Sequence, residues 1–151
     1  MIKVQQEPFD VGQELSALKA GNTAIGGIAL FVGTVRDRSD GAGVSAMTLE
    51  HYPGMTEKAL ADIEGEALQR WPLEACLVIH RYGRLEPGED IVLVICAAEH
   101  REAAFAACEF LMDWLKTKAP FWKLEAQGEE TRWVEARESD AQSADRWDRK
   151  S

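Results

Sequence analysis

Pro120 constrains the fold of this chain more than any other residue, because it forces a helix to end and a strand to begin. It has no backbone N–H and biases Ala119 toward extended geometry, so the helix that opens at His100 cannot pass it. The residues from 121 to 127 then alternate between two faces of a predicted strand. One of these faces carries Phe121, Lys123 and Glu125.

The helix before Pro120 carries a lysine where the pattern predicts a core position. Its apolar stripe is formed by Phe105, Cys108, Met112 and Leu115. Lys116 projects about 20° from Phe105, so we expect it to face the core, whereas Lys118, about 160° from Lys116, faces water. A core-facing lysine costs free energy unless an anion or a reaction uses it. Lys116 is therefore a candidate site residue; the alternative is a solvated lysine that the helix dipole favours.

The remaining periodicity predicts an irregular mixture of helices and strands. Further helices are expected at residues 10–21 and 55–70, and strands at residues 2–6, 24–32, 44–52, 75–82, 90–98, 121–127 and 131–135, the last two as a hairpin around Gly128. This order favours an α+β class over a regular doubly wound sheet. The 151 residues suit one domain, 1–151, with a polar tail at about 137–151. Trp147 is the one large apolar residue of this tail, and the tail is either frayed or docked onto a partner.

The charge distribution argues against nucleic acid and for a small anionic ligand. The chain has 17 lysines and arginines against 26 acidic residues, a net charge of −9, whereas general nucleic-acid binding needs a basic footprint. The positive side chains are nonetheless bunched, which suits a small anion better than a polyanion. The bunched residues are Arg36, Arg38, His80, Arg81, Arg84, His100, Arg101, Lys116 and Lys123.

Several classes of protein find no support in the sequence. No apolar run approaches the roughly 20 residues of a membrane span, and the first residues lack the build of a secretory signal, so we expect a soluble cytoplasmic protein. Cys76, Cys96 and Cys108 lack CxxC spacing, and each lies in an apolar pattern that predicts a buried structural thiol. The three histidines match no metal-ligand spacing. The P-loop, dinucleotide-binding, nucleophile-elbow and zinc-protease fingerprints are absent.

Two short segments have features of anion binding. Gly33 lets backbone N–H groups approach an anion, and Arg36 can hold a phosphate with two parallel hydrogen bonds. The alternative is a strand end with a surface arginine. His100 and Arg101 stand at a helix N-terminus, where free N–H groups and the helix dipole favour an anion. The alternative there is a pair of solvated polar residues, and both alternatives stay open.

These segments, in their order along the chain, resemble the large, catalytic subunit of molybdopterin synthase. The similarity runs from near the N-terminus to about Trp147. It rests on residues 31–36 (FVGTVR), 49–52 (LEHY), 80–83 (HRYG), 100–101 (HR), 115–123 (LKTKAPFWK) and 133–135 (WVE). No single motif is decisive, but the ordered set is specific to that family.

The resemblance implies a fold, a reaction and partners. The fold is an α/β hammerhead type with an additional antiparallel sheet. The reaction transfers sulfur from the C-terminal Gly-Gly thiocarboxylate of a small ubiquitin-like subunit to cyclic pyranopterin monophosphate, and it forms the dithiolene of molybdopterin in molybdenum cofactor biosynthesis. The assembly is a homodimer with one small subunit at each end, a heterotetramer. No metal or other cofactor is expected, because the sulfur arrives on the partner.

The roles that the resemblance implies divide between catalysis and binding. Lys116 is the expected principal catalytic residue and Lys123 supports it, because an ammonium stabilises or protonates the oxygen that leaves when the cyclic phosphate opens. The expected substrate-binding residues are Thr34, Val35, Arg36, His100, Arg101, Lys116, Lys123, Leu124 and Glu125. Open questions are the acid and base roles of the two lysines, a pocket shared across a dimer interface, and the roles of Arg38, His51 and His80.

Two other function classes compete with sulfur transfer. A non-enzymatic module that binds a phosphorylated metabolite predicts binding without turnover. A scaffold that docks an extended tail by strand addition predicts that partner binding survives the loss of Lys116 and Arg36. A core-facing lysine and three anion-holding points exceed what docking alone needs, so the sequence favours the enzyme.

Overall fold

A computed structural model describes residues 1–39, 42–43, 46–127, 130–134 and 147. These residues contain three helices: α1 (Val11–Lys19), α2 (Met55–Arg70) and α3 (Arg101–Thr117). They also contain ten strands: β1 (Ile2–Gln5), β2 (Gly27–Thr34), β3 (Arg38–Ser39), β4 (Ala42–Gly43), β5 (Ala46–His51), β6 (Leu73–Arg81), β7 (Gly83–Leu85), β8 (Asp90–Ala98), β9 (Phe121–Gln127) and β10 (Glu130–Val134). The predicted turn at Gly128 and most of the tail lie outside the described residues.

The first sheet has four strands in the order β1-β6-β8-β2. β1 pairs parallel with β6, whereas β8 pairs antiparallel with both β6 and β2. Successive side chains of a strand point to opposite faces, so each face forms its own core. One core joins the sheet to α2 and α3 and includes Cys76, Val78, Cys96, Ala104 and Leu111. The other lies under α1 and includes Leu77, Ile79, Leu93 and Ile95.

The second sheet is antiparallel, with the order β10-β9-β5-β7. β9, the strand that follows Pro120, lies between β10 and β5, and Phe121 pairs with His51. A small core of Val35, Met47, Leu49 and Leu85 packs between this sheet and the loop after β2. The α+β class with an additional antiparallel sheet is therefore confirmed.

Local sequence signals explain where the first two helices begin. The Asp10 carboxylate caps α1 by accepting a 2.9 Å hydrogen bond from the backbone N–H of Gln13. Before α2, Gly54 has a φ of 86°, which only glycine adopts without strain. The Gly54 N–H donates to the Glu57 carboxylate at 2.8 Å and closes the first turn. Both predicted helices are confirmed.

The predicted core face of α3 is right at Cys108, Met112 and Leu115, which are buried or pack against the core, and wrong at Phe105. Phe105 is 64% exposed, and Lys116, which projects to the same side of the helix, is exposed as well. The buried residues of α3 are Ala104, Ala107, Cys108, Phe110 and Leu111. Small alanines let the helix approach the sheet and α2 closely, whereas the prediction took the large Phe105 as a core marker. Lys116 is therefore a solvent-facing residue and not a lysine in a core position.

Trp147 docks onto its own chain. Its ring packs edge-on against Trp71, at 5.8 Å between centroids, and against Phe110, at 5.6 Å. The indole N–H donates a 2.6 Å hydrogen bond to the Asp113 carboxylate on α3. At this one described position of the tail, Trp147 is an anchor between α2 and α3; the rest of the tail, for which a frayed and a partner-docked state were predicted, lies outside the described residues.

Candidate functional site

Lys116 lies at one end of the first sheet. α3 begins beside Gly27, whose hypothetical Cβ would lie 3.4 Å from the Cα of Arg101, and it packs along β2 and β8. β2 starts at Gly27 and ends at Thr34, so β2 and α3 run from the same end of the sheet to the other. Lys116, in the last turn of α3, is thus at the end where β2 leads into Arg36.

Lys116 is exposed and has no hydrogen bond or ion pair with any residue that the structure describes. It is the basic residue of the last turn of α3, where the negative end of the helix dipole favours a cation. The hydroxyl of the neighbouring Thr117 donates a 2.8 Å hydrogen bond to the Asp113 carbonyl. The Lys116 ammonium is thus available to an anion from solution, which is the property that the predicted role requires.

Lys123 lies on β9, seven residues after Lys116. The register places it opposite Leu49 of β5 and opposite Val134 of β10. The predicted pocket residues Leu124 and Glu125 follow on the same strand and pair with Thr48 and Met47 of β5. The middle position of β9 thus fixes the backbone of Lys123 on both sides, while Lys116 stands on a helix end.

The segment from Pro120 to Trp122 leads into β9, and each of its three residues is held by a different part of the protein. The hydroxyl of Thr56 on α2 donates to the Pro120 carbonyl at 3.1 Å. The ring of His80 on β6 stacks on Phe121, with centroids 3.8 Å apart and planes 15° from parallel. Tyr52 contacts Trp122, with ring centroids 4.6 Å apart. The segment between the lysines is therefore fixed by side chains from outside the second sheet as well as by strand pairing.

Sequence reasoning left two histidines without a role, and the structure brings them to this segment. His51 lies 4.2 Å from the Tyr82 ring and 6.2 Å from the Phe121 ring, centroid to centroid. The side chain of His80 makes a 2.9 Å contact between Nδ1 and the Arg81 carbonyl. Strand alternation in the sequence assigns His51 and Phe121 to faces of their own strands. It cannot bring His80 of β6 to Phe121 of β9, because these strands belong to different sheets.

Arg81 is a structural residue and not an anion-binding one. It is 6% exposed, and its guanidinium donates to the Gln6 carbonyl, at 3.0 and 2.9 Å, and to the Asp90 carbonyl, at 3.0 Å. It also pairs with Glu89 at 3.3 Å. The pKa of Glu89 is lowered, mainly by the hydrogen bond from the Glu86 backbone N–H and then by Arg81. Arg81 therefore ties β1, β6 and β8 together at the end of the sheet that carries the site.

The residues after β2 divide between core and surface. Val35 is 5% exposed, and its N–H donates to the Glu89 carbonyl at 2.9 Å while its carbonyl accepts from Gly88 at 2.7 Å. Val35 is thus a core residue, and only its backbone faces the candidate site region. Thr34 and Arg36 are exposed on either side of it, and Arg36 has no hydrogen bond or ion pair within the described part of the chain. Arg36 is free to bind an anion.

His100 and Arg101 lie at the opposite end of α3 from Lys116. His100 is the N-cap residue but makes no side-chain capping hydrogen bond, and its Nε2 lies 2.9 Å from the Glu99 carboxylate. Arg101 is exposed. Fifteen residues at a rise of about 1.5 Å separate Arg101 from Lys116 by about 22 Å along the helix. One chain therefore does not bring together the two sets of cations that the sequence analysis assigned to one substrate.

The three cysteines are free and buried, as predicted. Cys76 and Cys96 are register partners on β6 and β8, and Cys108 faces them from α3. Hydrogen bonding with the other two thiols raises the pKa of Cys96, and burial raises it further, so this thiol stays protonated. Among the residues described, no group of three or more His, Cys, Asp or Glu side chains could hold a metal ion. No helix in the described ranges is long and apolar enough to span a membrane.

Known proteins with similar sequences and structures share a family name. The family described as MoaE protein matches residues 4–118. The molybdopterin synthase catalytic subunit of Pseudomonas aeruginosa is 61% identical over 147 residues, which cover 97% of this chain and 98% of that protein. A solved molybdopterin biosynthesis MoaE protein from Burkholderia ambifaria superposes with a TM-score of 0.83 at 52% identity, and the match covers 98% of this chain and 97% of that one.

A more distant structure shares the fold. It is a complex of subunits 1 and 2 of molybdopterin-converting factor from Helicobacter pylori, with a TM-score of 0.74 at 20% identity over 90% of this chain and 91% of that one. Together with the family match and the close relatives, this defines the class: a mixed α+β subunit of a molybdenum cofactor biosynthetic enzyme. The chain belongs to the MoaE family of molybdopterin synthase catalytic subunits. The resemblance drawn from its motifs is confirmed, and the roles of single residues stay predictions.

Proposed function

We propose that this chain is the catalytic subunit of a molybdopterin synthase and that Lys116 is its principal catalytic residue, supported by Lys123. The observation that carries the residue assignment is Lys116 at the end of α3, which is exposed and has no ion pair among the described residues, joined by a fixed segment to a lysine on the inner strand β9. Its substrate is cyclic pyranopterin monophosphate. Its sulfur donor is a small ubiquitin-like subunit that ends in a Gly-Gly thiocarboxylate.

A thiocarboxylate and a phosphate must bind side by side at such a site, and the exposed lysine and arginine side chains can hold these two anions. The donor tail ends in a thiocarboxylate, which an ammonium can orient, and the substrate carries a cyclic phosphate that a guanidinium can hold. The thiocarboxylate sulfur forms a bond to a carbon of the substrate. Water then cleaves the bond between this sulfur and the donor's acyl carbon, so the sulfur stays on the pterin and the small subunit leaves as a carboxylate. When the phosphate ring opens, a carbon–oxygen or phosphorus–oxygen bond breaks, and the leaving oxygen takes a proton or a charge-assisted hydrogen bond from Lys116. The remaining expected positions, Thr34, Leu124 and Glu125, line the approach.

A second copy of the chain completes the site in this proposal. One substrate could touch Arg101 and Lys116 of a single chain only if both side chains extended toward each other along about 22 Å of helix. In a two-fold symmetric dimer, the residues at one end of a helix can meet those at the other end of its partner. A homodimer therefore allows His100 and Arg101 of one copy to hold the phosphate beside Lys116 of the other.

The exposed face of α3 supports such a pairing. Phe105 is 64% exposed, and it projects between Arg101 and Lys116, about 40° from the first and about 20° from the second. A partner that covers this face would bury Phe105 between the two cations, and removing its apolar surface from water stabilises the pairing. With one small subunit bound per catalytic subunit, the assembly is a heterotetramer.

Compartment and cofactor requirements follow from the same proposal. Three free thiols suit the reducing cytoplasm, where we place the reaction. We treat residues 1–151 as a single functional domain. The chemistry asks for neither a metal nor an organic cofactor, because the nucleophilic sulfur is delivered by the partner.

The test is product formation with a matched pair of lysine variants. The protein is combined with cyclic pyranopterin monophosphate and the thiocarboxylated small subunit, and the dithiolene product is measured as its fluorescent oxidised derivative. Lys116→Ala should abolish product, whereas Lys118→Ala, also exposed and two residues away, should keep turnover near that of the wild type. Equal product from wild type and Lys116→Ala would leave the enzyme but remove the catalytic assignment. Binding without product, with competent donor and substrate, would favour a metabolite-binding module.

A further inference from the structure

The segment from Pro120 to Trp122 sets the spacing between the two candidate catalytic lysines. It begins four residues after Lys116 and ends one residue before Lys123. It also turns tightly, because the Phe121 N–H donates to the Ala119 carbonyl at 2.8 Å. Any shift of this segment moves the helix end and the strand start relative to each other.

Thr56 holds this segment from within the protein. It is fully buried at 0% exposure, and its hydroxyl donates to the Pro120 carbonyl at 3.1 Å. The same oxygen accepts a 3.0 Å hydrogen bond from the Tyr52 N–H, and the Thr56 N–H donates to the Tyr52 carbonyl at 2.8 Å. One hydroxyl thus connects the start of α2, the end of β5 and the start of β9.

This hydroxyl serves two backbone groups at once, the Tyr52 N–H and the Pro120 carbonyl. Without it, the Tyr52 N–H and the Pro120 carbonyl would each lose the hydrogen bond that the buried hydroxyl supplies, which is unfavourable enough to make the backbone move. The Tyr52 ring also contacts Trp122, so movement of Tyr52 would displace the segment at a second point. The stack of His80 on Phe121 holds the ring between these two points.

We infer that Thr56 is a positioning residue for the reaction: it touches neither substrate nor donor, and its hydroxyl holds the Pro120 carbonyl so that Lys116 and Lys123 keep the separation that sulfur transfer needs. The inference rests on the proposed function. Misplacement of reacting groups by about 1 Å can lower a rate about a hundredfold, even when the change lies away from the chemistry. Thr56 therefore affects turnover through the lysines and not through binding.

The experiment compares two substitutions at Thr56 in the complete enzyme with its small subunit. Thr56→Val keeps the shape of the side chain and removes the hydroxyl, whereas Thr56→Ser keeps the hydroxyl. We expect Thr56→Val to lower kcat by about tenfold to about a hundredfold, with the KM for the pterin changed by less than about threefold, and Thr56→Ser to stay within about threefold of the wild type. Rescue by serine identifies the hydroxyl as the cause.

A control separates positioning from a general loss of stability. Ile63→Val removes a methylene from the buried face of the same helix and touches neither the segment nor Tyr52. Assayed well below its unfolding temperature, it should keep the kcat of the wild type. A wild-type kcat in Thr56→Val, or an equal loss of kcat in Ile63→Val, would overturn the inference and leave the proposed function standing. An inactive wild type with competent donor and substrate would overturn both.

Discussion

The distance along α3 makes a quantitative prediction about the dimer. Arg101 and Lys116 lie about 22 Å apart along the helix axis, so we place the phosphate-binding and catalytic cations of one site on two different copies of the chain. The perturbation is Arg101→Ala in one copy and Lys116→Ala in the other, with each homodimer inactive by itself. Two affinity tags allow the heterodimer to be purified before the small subunit and substrate are added.

The arithmetic depends only on which chain supplies which residue. If each site takes Lys116 from one copy and Arg101 from the other, the heterodimer has one site with both substitutions and one site with neither. It should therefore show about half of the wild-type activity. If each site is built from one chain, every site carries one substitution, and the heterodimer should be as inactive as its parents.

The control inverts these outcomes. A heterodimer of a wild-type chain and an Arg101→Ala, Lys116→Ala double variant has one intact site if sites are built within a chain, and none if they are shared. The prediction is no activity in this control and about half of the wild-type activity in the test heterodimer. Half activity in the control together with none in the test would refute the shared site. The readout is the initial rate of dithiolene formation per purified dimer.

Three further predictions concern stability and can be checked by urea unfolding. For the dissociated monomer, reached by extrapolating a dilution series, Phe105→Ser should change the free energy of unfolding by less than about 1 kcal/mol. Leu111→Ala should lower it by about 2–5 kcal/mol, because only Leu111 is buried within the chain. Equal losses would contradict the exposed position of Phe105. Trp147→Ala should cost about 2–3 kcal/mol through the lost contacts with α2 and α3, and an unchanged midpoint would contradict the anchor. Because the pKa of Cys96 is raised, the folded state keeps a proton that the unfolded state loses at high pH. The free energy of unfolding should therefore fall above about pH 8.5, by at most about 1.4 kcal/mol per pH unit. Cys96→Ala should flatten this slope, and an unchanged slope would contradict the role of the Cys96 thiol.

Local signals in the sequence carried most of the secondary structure. The Asp10 cap, the turn at Gly54 and the break at Pro120 each depend on backbone chemistry within a few residues, so they could be read without knowledge of the fold. The predicted strand at residues 121–127 and helix at residues 55–70 match β9 and α2. The short strand β7 was missed, because three residues give no measurable alternation.

Periodicity predicted the buried face of α3 only in part, because two different partners cover the helix. The helix packs against the sheet with Ala104 and Cys108 and against α2 with Phe110, so the buried arc is wide and contains small residues. A pattern search weights large apolar residues and chose Phe105. The predicted angle of about 20° between Phe105 and Lys116 around the helix axis nonetheless puts them on one side of α3, and both residues are exposed.

The candidate site was predicted by resemblance and not by physical pattern. The argument that Lys116 is a core-facing lysine failed, whereas the family motifs singled out the same residue, which is exposed and has no ion pair within the described part of the chain. The contacts of Thr56 and His80 with the segment after Pro120 join residues 64 and 41 positions apart in different sheets and helices. No local pattern encodes such contacts, because they depend on how the two sheets are placed together.

The most direct test follows sulfur from donor to product in a single reaction. Mass spectrometry of the small subunit measures the loss of its thiocarboxylate, while fluorescence of the oxidised pterin measures the dithiolene formed. We predict that the wild-type protein consumes two thiocarboxylates for each product and that Lys116→Ala forms no product, while Lys118→Ala behaves as the wild type. Dithiolene formation by Lys116→Ala at the wild-type rate, or product without loss of thiocarboxylate, would contradict sulfur transfer through this lysine.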